Sequence, residues 1–108
     1  MLLPPDFNFL NPDFPGADLI EKGLQDLDNN IESVESLLVM IGAPRLTSLG
    51  LVFKPLQLPD HPEMCLYRLL CTIYPRNTHA EYNALIQRLI RYESALDLQA
   101  GRRMRGYV

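Results

Sequence analysis

Between residues 19 and 41 the chain reads LIEKGLQDLDNNIESVESLLVMI, in which Ile20, Leu24, Leu27, Ile31, Val34, Leu38 and Ile41 recur at alternating steps of 4 and 3. Apolar residues at that spacing fall on one face of an α-helix. The spacing predicts a single amphipathic helix of about 35 Å, long enough to cross most of a small domain. Asp18 is placed to cap its start, with Glu21 reaching back, and Gly42-Ala43-Pro44 to end it. Its weak point is Asp28-Asn29-Asn30, three poor helix formers in a row, where Asn30 would cap a second helix if the segment were a hairpin instead.

Two further helices follow. The run PEMCLYRLLCTIY has Pro62 at a first helical position and halts before Pro75. With only Glu63, Arg68 and Thr72 clearly polar, it reads as the most buried helix. The last helix is expected to begin at Thr78 as N-cap, with Glu81 completing a capping box. Its stripe of Tyr82, Leu85, Ile86, Leu89, Ile90 and Leu96 ends at Gly101. Residues 43–61 read as an irregular connector. Gly50-Leu51-Val52-Phe53 is strand-like but unpartnered, and Leu56 and Leu58 flank Gln57 as in an extended segment lying on a core.

The pattern therefore predicts an all-α fold of three parts: an extended Pro/Phe arm over residues 1–17, one helical domain over 18–101, and a basic tail over 102–108. The arm holds four of the nine prolines and repeats Pro-Asp-Phe at 5–7 and 12–14. Its Phe7 and Phe14 serve either to cap the domain's own core or to dock on a partner.

Composition sets bounds on this picture. A chain of 108 residues, 47% hydrophobic and 21% charged, makes one ordinary globular domain. Met1-Leu2-Leu3 leads into Pro4-Pro5 without the basic and apolar regions of a signal peptide, and no apolar run is long enough to span a membrane. The expectation is an intracellular protein, cytoplasmic or nuclear. The net charge of −3 conceals a split. Residues 1–42 carry eight acids against Lys22, or −7, and residues 43–108 carry nine bases against five acids, or +4. Such a split steers two halves of one chain together, or two chains head to tail.

Chemistry-bearing constellations are scarce. His61, Cys65, Cys71 and His79 invite a test for zinc, but Cys71 lies six positions beyond Cys65, about 240° around a helix, and no C-x-x-C pair occurs. No glycine-rich phosphate loop and no activated nucleophile is evident, so the chain is not expected to be an enzyme or to carry a cofactor or metal.

What remains is association. Set as a heptad, residues 19–41 place Leu24, Ile31 and Leu38 at a, and Ile20, Leu27, Val34 and Ile41 at d. The e positions Glu21, Asp28 and Glu35 are all acidic, while the g positions are uncharged. A helix with basic flanks suits that seam better than a parallel copy of itself, and the chain's own last helix, with Arg88 and Arg91, is one such helix. The reading is a non-catalytic assembly or adaptor subunit that pairs, with itself or with another helical protein, through Leu24, Leu27, Ile31, Val34, Leu38 and Ile41, aided by Phe7 and Phe14. The alternative is a small nucleic-acid-binding protein that holds phosphates with Arg102, Arg103 and Arg105 and stacks a base on Tyr107. The acidic pI of about 5.2 weighs against it.

Overall fold

The computed structural model describes residues 14–105, with side chains through residue 99. Four helices make an all-α fold: α1 (Ala17–Asp28), α2 (Val34–Ser48), α3 (Pro62–Ile73) and α4 (Thr78–Arg105). No strand forms among the described residues, and none of their helices is long and apolar enough to cross a membrane.

The seam of residues 19–41 is thus not one rod but a helical hairpin, and the Asp-Asn-Asn triplet is where it turns. Asn30 takes the left-handed conformation (φ 57°). The Ile31 N–H then donates to the Asp26 carbonyl (2.7 Å) and the Asn30 N–H to the Leu27 carbonyl (3.0 Å). This is a Schellman C-cap, in which an αL residue lets the chain turn back and satisfy the orphan carbonyls. Asn30 therefore closes α1 and does not open α2.

Ser33 opens α2. Its hydroxyl accepts from the Ser36 N–H (3.0 Å), while the Ser33 N–H donates to Ser36 Oγ (2.7 Å), a capping box built from two serines. The Ser33 hydroxyl also donates to Asp26 Oδ2 (2.6 Å), and Lys22 Nζ reaches the same oxygen (2.8 Å), which ties the turn to α1. Two capped ends within five residues outweigh the unbroken heptad phase.

Other boundaries move for similar reasons. α1 starts at Ala17 behind Gly16 at φ 80°, and Asp18 lies in its first turn without capping it. α2 runs through Pro44 to Ser48. A proline there forfeits the hydrogen bond to the Met40 carbonyl, but packing around the buried Leu46 carries the helix past it. Thr78 does not cap α4. Its hydroxyl donates instead to the Tyr74 carbonyl at the end of α3 (2.8 Å). Gly101 does not stop α4, which continues to Arg105, so residues 102–105 belong to a helix and not to a separate tail. The flanking Leu98, Gln99, Ala100 and Met104 favour helix, and arginines in a last turn complement the helix dipole.

The centre of the core is α2, not α3. It packs against each of the other three helices, with Leu37, Leu38 and Val39 wholly buried in succession. α3 buries Cys65, Leu66 and Leu70 but leaves Met64 and Ile73 about half exposed. Two glycines permit this arrangement. At Gly23 an ideal Cβ would lie 2.5 Å from the Glu35 carbonyl oxygen and 2.5 Å from Val39 Cγ2, so α1 and α2 meet backbone to backbone. At Gly42 it would lie 2.9 Å from Leu89 Cδ1, where α4 settles on α2. Phe14 meets Tyr92 edge to face at 6.1 Å, and Asp18 pairs with Arg88 (3.5 Å). Phe14, just before α1, meets Tyr92 while Asp18 within it meets Arg88, and along α2 Gly42 meets Leu89 while Arg45 reaches Asp97, so α4 runs with α2 and against α1.

Candidate docking surface

The hairpin divides the predicted seam. Leu27 and Leu38 are 1% and 0% exposed and belong to the core. Leu24, Val34 and Ile41 are half-buried against that core. Only Ile31, at the turn, is exposed. The six residues therefore do not form one continuous stripe. Phe14 is half-buried against Tyr92 in the same protomer. Phe7 and Tyr107 lie outside the described residues, as do the side chains of Arg102, Arg103 and Arg105.

The outer face of α1 meets the connector instead. There Leu51 is buried and Phe53 half-buried, while Val52 between them is 90% exposed. Successive residues of an extended segment point to opposite sides, so two that pack on the helices force the third outward. Leu24, Val52 and Phe53, with Glu21, Gln25, Asp28 and Lys54, line an open cleft of about 330 Å³. Among the described residues neither Glu21 nor Asp28 makes an ion pair. The neighbouring acids are engaged: Asp18 with Arg88, and Asp26 with Lys22. Lys22 and Ser33 hold the Asp26 carboxyl below the usual carboxylate range. The cleft therefore combines an apolar floor with two carboxylates and the Lys54 ammonium around it, none of them in an ion pair among the described residues. The sequence pattern exposed Leu24 and the acids, but it did not single out Val52, whose signal was its place between two core-facing residues.

A second open hollow, of about 420 Å³, lies between α3 and α4 and is lined by Glu63, Met64, Tyr67 and Tyr82. The two tyrosine rings stand edge to face at 5.4 Å. Burial, and to a smaller extent Glu63, pushes the Tyr82 phenol above its ordinary range.

Among the described residues no group of three or more His, Cys, Asp or Glu side chains has metal-binding geometry. Cys65 is buried on α3 with its thiol toward the Asp60 carbonyl (3.8 Å), while Cys71 is exposed. Tyr92 is wholly buried, and burial raises its phenol to about 12.

Glu93 is a further buried titratable group, alongside Tyr92, Asp26 and Cys65. It is 8% exposed in the α2–α4 contact, beside Gly42. Burial pushes its carboxyl up, and Arg45, itself bonded to Asp97 (3.0 Å), pulls it down by less. A folded-state pKa above the unfolded value means that Glu93 stabilises below the ordinary glutamate range. That contribution is lost as pH rises through the raised value. Glu93→Gln is therefore expected to unfold at higher urea than the parent at pH 7, with the difference shrinking toward pH 4. A constant difference across that range would contradict the assignment.

No known family model, curated protein or solved structure matches this chain.

Proposed function

We propose that the protein is a non-catalytic interaction module that binds another protein chain through the cleft between α1 and the connector. The observation that carries this reading is Val52, 90% exposed above a floor of Leu24 and Phe53. An apolar side chain left in water beside an open apolar cleft gains when a partner covers it. The association expected through residues 19–41 is narrowed in this reading to the outer face of α1. Leu24 and its acidic flanks Glu21 and Asp28 contribute, while Leu27 and Leu38 hold the protomer together.

The test is a photocrosslinking residue placed at position 52 in cells, with the same probe at exposed Ser94 on α4 as the control. Protein adducts from position 52 that are absent from position 94 are the expected result. Equal adducts from both, or none from either, sink the reading.

A further inference from the structure

The chain's charge split acquires a geometry once α1 and α4 are seen to run in opposite directions. Gly16 lies against the backbone of Arg88 and the Cβ of Tyr92. From that level α4 continues to Arg102, Arg103 and Arg105 one way, while α1 carries Glu21, Leu24 and Asp28 the other way. At about 1.5 Å per helical residue, Arg103 is roughly 16 Å beyond Tyr92 and Leu24 roughly 12 Å beyond Gly16, on opposite sides. The basic end of α4 and the acidic cleft are thus about 28 Å apart in one protomer. With α4 helical through Arg105, they do not meet within the same chain.

We propose that the occupant of the cleft is the basic end of α4 from a second copy of this chain. The proposal rests on the docking reading given above and names the partner. The cleft offers two unpaired carboxylates, Glu21 and Asp28, around an apolar floor, and with Lys54 at its edge its lining keeps one net negative charge. The segment Arg102-Arg103-Met104-Arg105 supplies three cations around one adaptable apolar residue. Opposite charges at opposite ends of a rod make a head-to-tail contact, which leaves a free cleft at one end and a free basic end at the other. Such a contact adds further copies unless the rotation between protomers closes a ring.

The test is light-scattering mass of the purified full chain, with its thiols reduced, at low salt and at about 0.5 M salt, where exposed charges are screened. The parent chain is expected to show an average mass roughly twofold or more above one chain at low salt, falling to one chain at high salt. Glu21→Lys with Asp28→Lys abolishes the rise, and so does Arg102→Glu with Arg103→Glu and Arg105→Glu. Mixing the two variants restores it, because each reversed cleft then meets a reversed end. Recovery on mixing also shows that both variants are folded. A parent chain that stays monomeric at low salt overturns the proposal, as does an oligomer indifferent to both reversals. Crosslinks from position 52 to a different protein, with the purified chain monomeric, would overturn self-pairing and leave the docking reading standing.

Discussion

Replacing Gly23 with alanine is expected to destabilise the protein by about 2–3 kcal/mol, as overpacking of a closed contact does. In an exposed helix the same change would add about 1 kcal/mol of stability, because alanine favours helix over glycine. The sign reverses here because the new methyl meets the Glu35 carbonyl and Val39 Cγ2, both at 2.5 Å. Val39 is itself wholly buried and has little room to yield. The backbone carbonyl cannot rotate away without breaking the first turn of α2. The two helices must therefore separate, loosening Ile20, Leu27 and Leu38 together. Urea denaturation followed by helical circular dichroism reads the shift. A Gly23→Ala protein as stable as its parent would mean that α1 and α2 are farther apart than described.

The second large effect separates the two halves of the heptad. Leu38→Asp is expected to cost roughly 4–5 kcal/mol, combining the loss of a wholly buried leucine with the burial of a carboxylate. That is most of the stability of a domain this size, so the variant should be largely unfolded. Ile31→Asp, at an exposed turn position, should change stability by no more than about 0.5 kcal/mol. In a continuous helix the two positions would be equivalent, since both fall on the same seam. The circular dichroism of the two purified variants decides the matter. Similar behaviour in both would return residues 19–41 to a single rod.

The sequence carried the fold class and most of the helical faces, because 3.6-residue periodicity is a strong local signal. Pro62 at the head of α3 and the halt before Pro75 were legible for the same reason, since proline acts on its own neighbours. The hairpin was not decided by periodicity. Ile20 through Ile41 keep phase across the turn, and only the αL geometry of Asn30 and the paired serine hydroxyls settle it. Those are two short-range signals, an asparagine after a helix and Ser-x-x-Ser before one, and they are weaker to the eye than seven aliphatic residues in register. The primacy of α2 was hidden for a different reason. Its apolar run was divided between an expected helix and an expected stop at Gly42, yet Gly42 lets α4 approach instead of ending anything. The cleft was half legible. Leu24 and its acidic neighbours stood out, but Val52 and Phe53 come from a connector whose course depends on the helices beneath it.

The contrast between the two thiols bears on how assembly is measured. Cys65 is covered, whereas Cys71 stands in solvent on α3 and outside the lining of the cleft. Air oxidation would bridge two molecules covalently through Cys71 and counterfeit a reversible complex. The same exposure makes it a single chemical handle, at which a maleimide dye attached to α3 reports on neighbouring copies without touching the core.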